Sequence, residues 1–319
     1  MDAPVPLKSP KHVSGCLQLA VLLEVSSYPK PGNVHRTSDF KETKYEHFLA
    51  SSVALAPYFE YAAKRGNLVS NGKIKVDKVR IGKIIKDATY NMNKWQRDGN
   101  TLLGTAILLA PLAVAAGMTL GKNRSFSLPC LRQNAKMIVE STTPVDAVAL
   151  YDAILVSKPG GLGKVPKLDV MDPKSRRRIL EDQVTLFNVF EIASGYDSIA
   201  SEWVNNYPIT FDLAHPYFTG QLKEADDLNV ATVNTFLKIL SEVPDTLIAR
   251  KAGLDKAKEV SVQAKETLEA GGMATPEGRR HLSKLDSKLR DATHKLNPGT
   301  TADITAAVLA INILSGYRP

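Results

Sequence analysis

Three turns in the sequence carry residue types that bind anions. The first spans residues 28–36, just after Glu24, and reads Tyr-Pro-Lys-Pro-Gly-Asn-Val-His-Arg. Prolines fix φ and glycine opens positive φ, so Lys30, Asn33, His35 and Arg36 sit on a stiff turn. A preorganised turn of this kind suits phosphate; a proline-terminated helix followed by a solvated loop accounts for the same residues. The second, residues 158–172, holds Gly160, Gly161 and Gly163 among Lys158, Lys164 and Lys167 and closes on Asp169 and Asp172. Glycines let the backbone approach a phosphate closely. The spacing is neither that of a Walker A loop nor of a dinucleotide-binding turn, and a flexible helix connection explains it equally well. The third ends in Asn297-Pro-Gly-Thr-Thr-Ala-Asp303. Thr300 or Thr301 can cap a terminal helix there, leaving its first N–H groups and its dipole to an anion, while Asp303 in the first turn also complements the dipole.

Carboxylates offer a second kind of chemistry. Glu181, Asp182, Glu191, Asp197 and Glu202 fall in one stretch read as helical, and acids turned into a helical bundle can ligate a metal. Asp182 and Asp197, set among apolar positions, are the candidate metal ligands, although most surface helices carry such acids. No pair of histidines has metal-ligand spacing, and neither G-x-S-x-G nor H-E-x-x-H occurs.

The elements that must position these groups are helices. Ile81, Ile84, Ile85, Ala88, Met92 and Trp95 step by three and four, as do Tyr45, Phe48, Leu49, Ser52, Leu55 and Phe59, and Val230, Val233, Phe236, Leu237 and Leu240. Thr143-Pro144 and Thr275-Pro276 each place a capping hydroxyl before a proline at the first helical position. Only residues 73–81 alternate, so at most a short hairpin is expected. The spacing predicts an all-α, single compact domain of about ten helices over residues 12–317, after a flexible arm at residues 1–11.

With 319 residues and 44% hydrophobic content, the chain can bury a core unaided. Two isolated cysteines, Cys16 and Cys130, form neither a disulfide framework nor a thiolate metal site, which points to a reducing, cytoplasmic setting. Residues 102–120 carry no charge, but they are rich in Ala and Gly with Pro111 inside and read as a buried helix rather than a membrane span. The net charge of +8 favours anionic partners. With 7% aromatic residues and no RNA-binding signature, small phosphorylated ligands are favoured over nucleic acid.

Several motifs in register resemble the triphosphoribosyl-dephospho-CoA synthase family, in its archaeal-type branch. They are P-K-P-G-N-V at 29–34, N-T-L-L-G at 100–104, P-G-G-L-G at 159–163, P-D-T-L-I-A-R at 244–250, G-G-M-A-T-P-E-G at 271–278 and L-N-P-G-T-T-A-D at 296–303. The resemblance covers residues from about 14 to 314. It implies an all-helical fold and a Mg²⁺-dependent transferase that joins ATP to dephospho-CoA or a related cofactor precursor and releases adenine. Displacement at the ribose anomeric carbon needs cations on the triphosphate and a carboxylate near an oxocarbenium-like centre. On that basis Lys30, Arg36, Lys164 and Arg250 are expected to hold phosphates, and Glu24, Asp245 and Asp303 to act as carboxylates or Mg²⁺ ligands. Gly32, Asn33, His35, Asn100, Gly160, Gly161, Gly163, Asn297, Gly299 and Thr300 complete the expected nucleotide site. Two departures stand out: His35 follows the first turn where many members carry an acid, and Leu102-Leu103 replace a His-Lys pair. They keep open a nucleotide N-glycosidic hydrolase, or a nucleotide-binding protein without catalysis. A homodimer is also admitted.

Overall fold

The computed structural model describes residues 7–97, 100–120, 126–162, 167–290 and 293–319. Their regular structure is helical throughout: α1 (Pro10–Ser26), α2 (Tyr45–Ser70), α3 (Ile81–Trp95), α4 (Leu103–Gly117), α5 (Leu128–Glu140), α6 (Pro144–Ser157), α7 (Pro173–Glu181), α8 (Leu186–Ala193), α9 (Ser198–Val204), α10 (His215–Ala225), α11 (Leu228–Glu242), α12 (Thr246–Ala252), α13 (Leu254–Glu269), α14 (Pro276–Leu289) and α15 (Gly299–Leu314).

The all-α expectation holds, with fifteen α-helices among the described residues rather than about ten. Part of the excess comes from side-chain caps that cut one apparent helical stretch into pieces. Residues 173–204 form α7, α8 and α9, separated where Asp182 ends α7, Thr185 caps α8 and Asp197 caps α9. An aspartate whose carboxylate accepts backbone N–H groups ends one helix and begins another.

The hairpin expected at 73–81 does not form, and no strand occurs among the described residues. Val76–Lys78 is instead a 3₁₀ turn, with Lys78 N–H donating to Lys75 O and Val79 N–H to Val76 O, each at 3.0 Å. Val79 and Ile81 are buried, so the alternation buries side chains without a partner strand, and the backbone is satisfied locally.

Two helices make the centre. Every residue of α4 except Gly104 is buried, as is nearly all of α15. A helix apolar on all sides belongs inside other helices, and α4 is surrounded by α1, α2, α3, α5 and α15. Among the described residues no helix is long and apolar enough to cross a membrane. Glycines bring α2 and α4 into backbone contact: a Cβ at Gly66 would overlap the Val114 carbonyl, and one at Gly117 the Ala63 carbonyl. A smaller hydrophobic cluster lies among α11, α12, α13 and α14, around Phe236, Leu240, Val260 and Leu285. α11 contributes to both clusters through Ala231 and Ile239 on one side and Val233, Phe236 and Leu237 on the other. α15 likewise spans both, and the site opens along that seam.

Candidate functional site

The turn after α1 is tied down on several sides. Tyr28 N–H donates to Asn229 Oδ1 at 2.8 Å, and Asn229 Nδ2 returns a bond to Tyr28 O at 2.7 Å, fixing the turn to α11. Gly32, at φ +70°, donates its N–H to Asp286 Oδ1 at 2.8 Å. Arg290 binds the same Asp286 carboxylate and also donates to the Asn33 carbonyl and to His35 Nε2, the latter at 3.0 Å. A guanidinium can only donate, so this contact holds His35 as a neutral acceptor. Burial first, then the nearby Arg290, Lys30 and Arg36 charges, push the His35 pKa down to about 3.

This turn, the glycine-rich segment, α12 and the start of α15 surround one cavity of about 570 Å³. From the first turn Asn33 and Val34 reach it; from the second Lys158, Gly160, Gly161 and Lys167; from α12 Leu247, Arg250 and Lys251; from the last Asn297, Gly299, Thr300 and Asp303. Asn100 lines it too, and its Oδ1 accepts the Leu103 N–H at 3.1 Å at the start of α4. Segments separated by more than two hundred residues thus converge on one space.

The cavity is electrostatically divided. Lys158, Lys167 and Arg250 are exposed lining residues, with Lys251 half-buried beside them. Deeper in, Glu24 from the last turn of α1 is 4% exposed and paired with the buried Lys30 ammonium. Burial pushes Glu24 up and Lys30 down; each opposes the other's shift. Asp303 lies beside them with one face on the cavity and dense protein around the rest, which is why it is half-buried by surface yet strongly desolvated. Its Oδ1 accepts the Thr105 hydroxyl at 2.5 Å. Burial outweighs that bond, and repulsion from Glu24 and Asp245 adds to it, so the Asp303 pKa rises to about 7. Asp303 stands in the second turn of α15, not the first, so capping is not its role.

Several expected site residues are placed elsewhere. Lys30, 1% exposed, lies beneath the cavity wall and is engaged by Glu24, so it does not face a phosphate. His35 and Gly32 brace the turn from behind, and Arg36 is exposed with its guanidinium over the Tyr28 ring, 4.1 Å from the centroid. Asp245 does not line the cavity. Its Oδ1 caps α12 through Leu247 and Ile248 N–H at 2.9 and 3.1 Å, while Oδ2 accepts Thr301 N–H and hydroxyl at 2.7 and 2.8 Å. Both oxygens are spent on joining α12 to α15, which corrects the expectation of a catalytic carboxylate there. Asp182 is exposed at the end of α7 and outside the cavity lining. Asp197 does line the cavity, but it caps α9 and pairs with Arg250. The two are therefore not assembled as a metal pair, and among the described residues no group of three or more His, Cys, Asp or Glu is arranged to hold a metal. Gly163 and Lys164 lie outside the described residues.

Sequence reasoning passed over Thr105 and Arg290 and gave His294 no role in the site. Thr105 had a visible signal, a hydroxyl in the first turn of an otherwise apolar helix. Arg290 and His294 had none, because their importance depends on which turn they meet.

Similarity to known proteins agrees with this arrangement. The profile of the family described as ATP:dephospho-CoA triphosphoribosyl transferase matches residues 10–319. A protein from Citrobacter koseri, named as a probable 2-(5''-triphosphoribosyl)-3'-dephosphocoenzyme-A synthase, is 23% identical over 310 residues, covering 93% of this chain and 91% of its own. Its namesake from Malonomonas rubra is 24% identical over 312 residues, covering 95% and 88%. Protein CitXG of Leuconostoc mesenteroides subsp. cremoris is 25% identical over 307 residues, and the chain, matched over 94% of itself, spans 58% of that longer protein. The crystal structure of an Archaeoglobus fulgidus protein assigned as a triphosphoribosyl-dephospho-CoA synthase superposes with a TM-score of 0.62 at 22% identity, covering 85% of this chain and all of the other, which shows a shared fold. The chain belongs to the ATP:dephospho-CoA triphosphoribosyl transferase family, a family of transferase enzymes.

Proposed function

We propose that the cavity binds ATP with its triphosphate at Lys158, Lys167, Arg250 and Lys251 and its ribose anomeric carbon facing Asp303, and that it transfers the triphosphoribosyl group to a hydroxyl of dephospho-CoA or a related cofactor precursor. The observation that carries this reading is the pairing, in one cavity, of an exposed cationic side with a desolvated carboxylate whose pKa is about 7. The cations neutralise a polyanion. A carboxylate poised near neutrality can be ionised beside a developing oxocarbenium centre and can also accept a proton.

In the reaction the C1'–N9 bond of ATP breaks and adenine leaves with its electron pair. The acceptor oxygen forms the new bond to C1', and its proton passes to ionised Asp303. Adenine takes up one proton on departure and Asp303 gives up the one it accepted, both by exchange with solvent, so the exchange is balanced and Asp303 returns to its ionised form. Thr105 keeps the carboxylate aimed at the cavity, and the Glu24–Lys30 pair sets the field behind it. Apolar side chains of Leu102, Leu103, Ile107 and Ile199 line the cavity and limit access of competing water.

Magnesium does not fit as a resident ion of these residues. The Lys30 ammonium lies within Coulombic reach of both Glu24 and Asp303, and one Asp303 oxygen is engaged by Thr105. Mg²⁺ therefore belongs to the substrate, carried on the triphosphate with most of its water.

The test is adenine release from ATP with Mg²⁺, with and without dephospho-CoA. Release that depends on the acceptor supports transfer. Equal release without any acceptor would favour a nucleotide N-glycosidic hydrolase, and binding without release a non-catalytic nucleotide-binding protein.

A further inference from the structure

We infer that the exposed apolar side of α8, at the mouth of the cavity, seats the uncharged arm of the acceptor, the part of dephospho-CoA that lies beyond its diphosphate. This rests on the proposal that the cavity joins ATP to such an acceptor, and it assigns a part of the lining that ATP leaves over.

The apolar lining is of two kinds. Leu102, Leu103 and Ile107, at the end of α4 that carries Thr105, are 4%, 5% and 6% exposed. Ile192 and Tyr196 line the same cavity yet are 41% and 48% exposed. Together with Val189 and Ala193 they recur at three and four along α8 and the turn that follows it, and all four line the cavity, so they make one stripe. α8 is anchored by buried Leu186 and Phe190, with Val189 and Ala193 packed against the core. That leaves Ile192 and Tyr196 at the mouth. The stripe borders the cationic side, because the Tyr196 hydroxyl lies within Coulombic reach of Arg250 and of Asp197, the carboxylate that Arg250 binds.

ATP has no part left for this stripe. Its triphosphate is matched by the cations, and its base, bonded directly to the ribose carbon that faces Asp303, stays among the buried side chains of α4. The acceptor differs. Whichever ribose hydroxyl attacks C1' must also sit at Asp303; the diphosphate follows it, and the arm beyond, with two amides, a dimethyl-bearing carbon and no charge, is farthest from the reacting carbon. An acceptor that runs outward from Asp303 past Arg250 brings that arm to Tyr196 and Ile192. Large apolar side chains left exposed at the mouth of a site gain free energy when such a chain covers them.

The test is titration calorimetry on the full chain in two steps. Formycin triphosphate with Mg²⁺ first fills the donor side; its base is joined to ribose by a carbon–carbon bond, so no displacement occurs. Dephospho-CoA or ADP, which is the same nucleotide without the arm, is then titrated into the saturated chain. Wild type is expected to bind dephospho-CoA about tenfold or more tightly than ADP. Ile192→Ser and Tyr196→Ser alter exposed side chains, and melts check that both fold. Each should remove most of that preference and leave formycin triphosphate and ADP bound as in wild type. Equal wild-type affinity for dephospho-CoA and ADP overturns the inference, as does an undiminished preference in the folded variants. A loss shared equally by ADP gives the stripe to the acceptor's own base, and a loss on formycin triphosphate gives it to the donor; either overturns the arm reading. Failure of wild type to bind formycin triphosphate at all defeats the proposed function itself, a result distinct from the others.

Discussion

Gly104 and Asp303 are in direct contact: a Cβ at residue 104 would overlap the Asp303 carboxylate, with Ile199 Cδ1 next nearest at 2.6 Å. The first turn of α4 thereby determines how far Asp303 can extend into the cavity. Thr105, the next residue, supplies the hydroxyl that holds it there.

Gly104→Ala should consequently displace the carboxylate. The expected cost is about 1–3 kcal/mol of stability from overpacking, with adenine release reduced far more than that destabilisation explains. Thermal melts and turnover on the same preparation check it; a variant with wild-type turnover would mean that Asp303 need not occupy its observed position.

Asp303 predicts opposite pH trends for activity and stability. Its pKa of about 7 in the folded protein lies above the ordinary 3.8, so the folded state holds the proton more tightly than the unfolded chain. Its contribution to stability is therefore lost as pH rises between those values, and is fully lost above the folded pKa. The wild-type Tm should fall relative to Asp303→Asn from about pH 5 to about pH 8. Turnover should rise through about pH 7 in the wild type, as the base ionises, and be absent in Asp303→Asn. Parallel melts and rates across that range test both, and turnover by the Asn variant would remove Asp303 from the chemistry.

Asp245 makes a contrasting case. Its carboxylate accepts four hydrogen bonds linking α12 to α15, so Asp245→Ala should cost about 2–4 kcal/mol by losing a cap and leaving buried donors unpaired. Denaturant unfolding measures this. A variant of wild-type stability that has lost turnover would return Asp245 to the catalytic set.

Arg250 tests the triphosphate side. It is exposed, lines the cavity and pairs with Asp197. Arg250→Ala should weaken ATP binding by roughly tenfold and flatten its dependence on salt, with little change in Tm. Affinity equal to wild type at low and high salt would move the phosphates to another part of the cavity.

The sequence by itself determined the class of the fold and which segments matter. Three-and-four spacing of apolar residues is a local property that survives in α2, α3 and α11, and the uncharged run at 102–120 was legible as the buried α4 because its composition suits helix contact on every side. The segments at 29–34, 159–163, 244–250 and 296–303 were legible as sites because proline, glycine and capping residues fix backbone shape locally. Only the tertiary structure decided what each side chain in them does. Lys30 and Asp245 resemble their neighbours Arg250 and Asp303 in type, yet Lys30 is sealed against Glu24 and Asp245 is spent on Thr301. Burial and hydrogen-bond partners come from residues far away in the chain, and those decide whether a charge faces a ligand or holds two helices together.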